Sequence, residues 1–142
     1  MMRRLLLTAF ALLPLALAGC ATTTGSKMDD SKIATVARDV GISKQAAQGG
    51  LAAMLSLASN RLDVAQFQQI AEYIPNAEKY IVNAQAAGVF QGGVTSSEQL
   101  RAAYAGLGIT PDQSTKLQTQ VIDFVKSTAG PALAAPFAGA LE

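Results

Sequence analysis

From Ile33 onward the chain repeats one device: apolar residues at helical spacing, a residue that stops a helix, then a residue that starts the next. Thr110-Pro111-Asp112-Gln113 is its sharpest instance. A hydroxyl at the N-cap accepts from the N3 amide, proline at N1 has no N–H to lose, and glutamine at N3 reaches back to the cap. A chain with an apolar period near 3.6 and stops of this kind is confined to an all-α fold.

The pattern predicts a small bundle of about six short amphipathic helices. Ile33, Val36, Ala37 and Val40 line the first, which Gly41 ends. Ser43 caps a second, Lys44 to about Asn60, with Ala47, Leu51, Met54, Leu55, Ala58 and Leu62 in one stripe. Ala46, Gly50, Ala53 and Leu57 widen that stripe, so this helix is expected at the centre. Asp63 with Gln66 opens a third, carrying Val64, Phe67, Ile70, Ala71 and Ile74 up to Pro75. Asn76 opens a fourth, with Ala77, Tyr80, Ile81 and Ala84 in register. The stretch Ala87 to Ser97 is a glycine-rich loop. Thr95 with Glu98 predicts a capping box into a fifth helix, lined by Leu100, Ala103, Tyr104 and Leu107 and ended by Gly108. The sixth follows Thr110 and presents Leu117, Val121, Phe124 and Val125. Gly130-Pro131 breaks it, and the alanine-rich end is expected as a weak short helix laying Leu133, Phe137 and Leu141 on the core.

Val40-Gly41-Ile42-Ser43 and Leu107-Gly108-Ile109-Thr110 join helices by the same apolar–Gly–Ile–hydroxyl sequence. Either a helix-turn-helix unit is duplicated or the motif is an economical turn used twice. The second is preferred, since glycine caps end a third to a half of helices.

The front of the chain carries a different signal. Arg3 and Arg4 precede an uncharged run, Leu5 to Leu17, too short for the roughly 20 apolar residues of a spanning helix and of the right length for a signal peptide's apolar region. Leu17-Ala18-Gly19-Cys20 resembles the lipobox of bacterial lipoproteins. That resemblance implies cleavage between Gly19 and Cys20 and acylation of Cys20, the chain's single cysteine. An ordinary peptidase cut after Ala18 and an uncleaved anchor are the alternatives. Several acyl chains, at about 0.8 kcal/mol per buried methylene, hold a protein to a bilayer where one chain does not. Ala21 stands where lipoproteins kept at the inner membrane carry Asp, so the expected address is the periplasmic face of the outer membrane. The expected layout is a signal peptide over 1–19, a lipidated cysteine and flexible tether over 20–27, and one helical domain over 28–142. Ala21 to Lys27 span at most about 25 Å when extended.

Composition then removes function classes. Of the 11 Lys and Arg, Arg3 and Arg4 lie in the leader, which leaves nine against ten Asp and Glu. That near neutrality gives no electrostatic footprint for nucleic acid. Without histidine there is no Ser-His-Asp arrangement, and with one cysteine no zinc set and no internal disulfide. Asp29-Asp30, read with the tether, forms no calcium-loop pattern. No catalytic residue, metal ligand or cofactor motif is assigned.

Residues 40–75, VGISKQAAQGGLAAMLSLASNRLDVAQFQQIAEYIP, and 107–125, LGITPDQSTKLQTQVIDFV, resemble the VcgC/VcgE-type family of uncharacterised bacterial proteins. The shared positions are helix boundaries and core residues, so the resemblance implies a small helical domain and no chemistry. The C-terminal stretch with Pro131 and Pro136 departs from that pattern.

Gly49-Gly50 and Phe90 are the candidate contact surface. Two glycines inside a helix cost roughly 1 kcal/mol each relative to alanine; they serve either a close helix crossing or a kink, or else the approach of a ligand or a partner backbone. Phe90, in the glycine-rich loop, either forms a lid or a membrane-dipping tip or, as preferred, packs back on the core. Tyr73, Tyr80 and Tyr104 read as core-edge residues. The expected role is that of a membrane-anchored envelope lipoprotein, a non-catalytic module for binding a protein or peptide. A carrier of an apolar small molecule or lipid between its helices is the alternative. An enzyme ranks last, because no pair of carboxylates, lysines, tyrosines or hydroxyls stands at a defensible spacing.

Overall fold

The computed structural model describes residues 27–142. The lipidation and cleavage expected at Gly19 and Cys20, and residues 21–26 of the tether, lie outside the described residues. The described chain is all-α, a bundle of seven helices with no strand among them. They are α1 (Asp30–Val40), α2 (Lys44–Arg61), α3 (Val64–Tyr73), α4 (Ala77–Ala86), α5 (Ser97–Gly106), α6 (Pro111–Ala129) and α7 (Pro131–Leu141).

The centre is α2, which touches each of the other six helices. Gly49 to Ala58 are buried without a break. The residues are mostly alanine, leucine and glycine, and small side chains on every side let six neighbours come close. Onto it pack Ile33, Val36 and Val40 of α1, Ile70 of α3, Ala77 and Ala84 of α4, Leu100 and Tyr104 of α5, Leu117, Val121 and Val125 of α6, and Phe137 of α7.

Local chemistry sets most boundaries. Gly41 ends α1 at φ 83, with its amide donating to Arg38 O at 3.2 Å and that of Ile42 to Ala37 O at 2.9 Å. Gly108 repeats this after α5 at φ 74, through Gly108 to Ala105 O at 3.1 Å and Ile109 to Tyr104 O at 2.9 Å. Ser43 then caps α2, accepting from the Ala46 amide at 3.0 Å. Thr110 caps α6 with the complete predicted box. The two turns also meet, since Gln113 Nε2 donates to Gly41 O at 3.1 Å.

Several expectations are corrected. Asp63 and Asn76 stand at the N-caps of α3 and α4, but neither side chain makes a capping bond. The cap of α5 is Ser96, accepting from the Gln99 amide at 3.2 Å. Thr95 instead donates both its amide and its hydroxyl to Gln99 Oε1, so glutamine replaces Glu98 as the box partner. Asp29 and Asp30 belong to the fold: Asp29 caps α1, accepting from the Lys32 amide at 2.8 Å, and Asp30 begins it. The C-terminal segment is a full 11-residue helix. Pro136 breaks one of its hydrogen bonds, a defect of about 3 kcal/mol in a helix interior. Complete burial of Phe137 opposes that cost, and Arg61 Nη1 donates to Ala140 O at 3.1 Å at the helix end.

Candidate functional site

The three sequence-predicted contact residues are all buried. Gly50 lies under α5 and α6: a Cβ there would sit 2.7 Å from Leu117 Cδ2, 3.3 Å from Ile109 Cδ1 and 3.4 Å from Tyr104 Cε1. Its hydrogen is the space those side chains use, as the close-crossing reading requires. Leu117 stands nine residues past Gly108 as Gly50 stands nine past Gly41, so equivalent positions of the two helix pairs face each other. Phe90 turns inward and Val94 is fully buried. The loop carrying them is fastened to α2. Ser56, a buried hydroxyl, accepts from the Val94 amide at 3.0 Å, and Asn60 Nδ2 donates to Val94 O at 3.1 Å. Gly50 and Phe90 therefore offer no surface to a partner.

Gly49 is different. Although Leu107 covers much of it, with Cδ2 2.9 Å from where a Cβ would stand, it also forms part of the floor of an open groove of about 480 Å³. The groove lies where α2 begins and α4 and α5 end. Ala46, Gly49, Ala84, Val89 and Leu107 make an apolar floor. Ser43, Gln45, Gln48, Tyr80 and Asn83 supply the polar walls, and no charged side chain lines it.

Helix ends add partial charge. The start of α2 presents unbonded amides and carries no acidic residue in its first turn. In the last turns of α4 and α5 the carbonyls of Asn83, Ala84, Gln85, Ala103, Tyr104 and Ala105 already accept from the amides that follow, and neither turn carries a basic residue. From the helix ends the site thus gains the first amides of α2, which no acidic side chain in that turn neutralises.

One rim is braced by Asp30. Its Oδ1 accepts from Tyr80 Oη at 3.0 Å and from Gln48 Nε2 at 3.3 Å, and its Oδ2 from Lys44 Nζ at 3.3 Å. The Tyr80 hydroxyl and the Lys44 ammonium hold the Asp30 carboxyl below its ordinary value. Burial, and then the Asp30 carboxylate, push the Tyr80 phenol up to about 12. At neutral pH the rim is a protonated phenol donating to an ionised carboxylate.

The remaining candidates carry less. Tyr104 is buried against α6, where Gln118 Nε2 donates to its hydroxyl at 3.3 Å. Burial pushes its phenol well above the ordinary range. Tyr73 and Tyr80 are half-buried at the margin of the core. A gap of about 10 Å³ between α1, α2 and α6, lined by Met28, Leu51 and Leu117, has room for about one water. No group of three or more His, Cys, Asp and Glu converges among the described residues, and no described helix is long and apolar enough to cross a membrane.

Sequence reading found Gly49 but not Gln45, Gln48 or Asn83. Single carboxamides on three separated turns leave no periodic signal; only the stops at Gly41, Gly88 and Gly108, which bring those turns together, are visible in the chain.

A family model described as protein of unknown function VcgC/VcgE matches residues 19–142. No curated protein and no solved structure matches the chain.

Proposed function

The chain belongs to the VcgC/VcgE family of proteins of unknown function, and from that premise we propose that it is a lipid-anchored envelope protein whose helical domain is a non-catalytic module for binding a protein or peptide. Leu17-Ala18-Gly19-Cys20 supports the anchor, and Ala21 supports the outer membrane as its address. The observation that carries the binding role is the groove. It is open, it pairs an apolar floor with uncharged hydrogen-bonding walls, and its one titratable lining group, Tyr80, stays protonated to about pH 12. Such a surface can hold a partner.

Two measurements test this reading. The intact mass of the protein from its native membrane is expected to show a chain beginning at Cys20 with acyl groups added; a bare sulfur would remove the anchor. Photocrosslinking in intact cells from position 83, followed by mass spectrometry, is expected to capture a polypeptide. Recovery of lipid adducts alone would remove the protein-binding role.

A further inference from the structure

We propose that the groove between the start of α2 and the ends of α4 and α5 binds a short extended stretch of uncharged polypeptide with small side chains. This rests on the binding role proposed above and names the chemistry of its partner. Three features of the groove select that ligand.

The first is hydrogen-bonding sense. Gln45 and Asn83 each carry a donor and an acceptor on one planar group, the pairing that a peptide unit presents in return, while Gln48 donates to Asp30 at 3.3 Å and adds its carbonyl oxygen. A ligand with only acceptors or only donors would leave half of these groups without a partner, at about 1–3 kcal/mol for each one buried.

The second is the floor. Ala46, Gly49 and Ala84 are buried and small, so they accept methyl-sized side chains and a close backbone. An extended chain points alternate side chains to one face, so small residues at every second position would sit on this floor. A sugar would instead call for an exposed aromatic face. The one aromatic ring here, Tyr80, is at the rim and is committed to Asp30 at 3.0 Å.

The third is length and charge. The α4 wall from Tyr80 to Ala87 runs about 10 Å at ~1.5 Å per residue. That matches about three extended residues at ~3.3 Å each. With no charged residue in the lining, a lysine or glutamate on the floor side would be desolvated without a counter-ion.

The chain contains no tryptophan, so one engineered indole reports on one place. Gly106→Trp puts it at the groove, where an added Cβ meets nothing within 4 Å. Ala87→Trp, at an exposed position on the groove margin, is a second reporter should the first fail to fold. Val64→Trp, at a position 74% exposed and outside the groove, is the control. The full chain in detergent is titrated with the blocked pentapeptide Ac-Ala-Ser-Ala-Ser-Ala-amide.

A saturable emission shift with a Kd of about 1 mM or tighter is expected from the groove reporters and none from the control. Adding Asn83→Ala is expected to weaken binding at least about fivefold, as is replacing the peptide's alanines with lysine or glutamate. No saturable shift up to about 10 mM, or an equal shift in the control, would overturn the inference. So would a saturable shift with chitotriose and none with the peptide, which would reassign the groove to a glycan. Capture of a polypeptide from position 83 in cells together with no saturable shift in this titration would overturn the small, uncharged ligand and leave the binding role standing with a polypeptide of other chemistry.

Discussion

The two flanks of α2 start from the same small residues and finish in opposite ways. On the flank facing α6, the missing side chain of Gly50 is replaced by Leu117, Ile109 and Tyr104, and the space is closed. On the flank facing α4, Leu107 takes the place of a Gly49 side chain, while Ala46, Ala84 and, higher up, the carboxamides of Gln45 and Asn83 border a space that is left open. Small residues on a helix create room; the neighbour's side chains decide whether that room becomes core or site. Only the second outcome can bind anything, and it leaves part of the α2–α4 contact without packing.

Changes on the closed flank and its cover are therefore expected to cost stability, and changes in the groove to cost almost none. Phe137→Ala removes a fully buried ring beside α2 and is expected to destabilise by about 3–5 kcal/mol, measured by urea denaturation. Gly50→Val forces a branched side chain onto Leu117, which has 1% exposure and only the gap of about 10 Å³ beside it to yield into. It is expected to cost about 1–3 kcal/mol despite the gain in helix propensity. A wild-type midpoint for Gly50→Val would mean that the closed flank is loose, and the contrast between the flanks would fail. Ser56→Ala leaves the buried Val94 amide without its acceptor and is expected to cost about 1–2 kcal/mol, with faster hydrogen exchange of that amide.

The tyrosines give a finer comparison, because each flank has one. Both phenols lie above the ordinary value of 10.0, Tyr80 at about 12 and Tyr104 higher still. A raised phenol titrates in the unfolded chain first. Stability is therefore full below pH 10.0 and is lost as pH rises through the folded values. Tyrosinate absorbance is expected to show Tyr80 ionising before Tyr104, and Tyr80→Phe to reduce the alkaline loss that begins above pH 10.0. Tyr104 ionising first would mean that the closed flank admits water. The smallest effect is expected from Asn83→Ala, an exposed groove residue, at within about 0.5 kcal/mol of wild type by thermal denaturation.

The same contrast explains what could be read from the sequence. Boundaries set within four residues were legible: Gly41, Ser43 and Thr110 act through their own backbone neighbours and stand where the pattern puts them. Asp63 and Asn76 mark helix starts without bonding to them, because helix packing can place a boundary without its cap. The strength of α7 was hidden for the converse reason. Pro136 and Gly139 weaken it locally, while burial of Phe137 against other helices secures it. The Gly49-Gly50 pair was visible as a cost inside a helix, but its neighbours at 104–117 lie more than fifty residues away. The groove was least legible, since it is a space that packing leaves between helix ends rather than a pattern along any one of them.

Met28 bears on how the molecule takes a load. It is almost wholly buried, and its amide donates to Tyr73 O at 2.7 Å, which ties the leading edge of the domain to the end of α3. Tension arriving along the preceding chain would act on that hydrogen bond and on the thioether side chain beneath it, two residues ahead of the Asp30 brace on the groove rim. A pull strong enough to free Met28 would reach Asp30 next, making the groove rim the first part of the helical domain after it to feel strain arriving along the preceding chain.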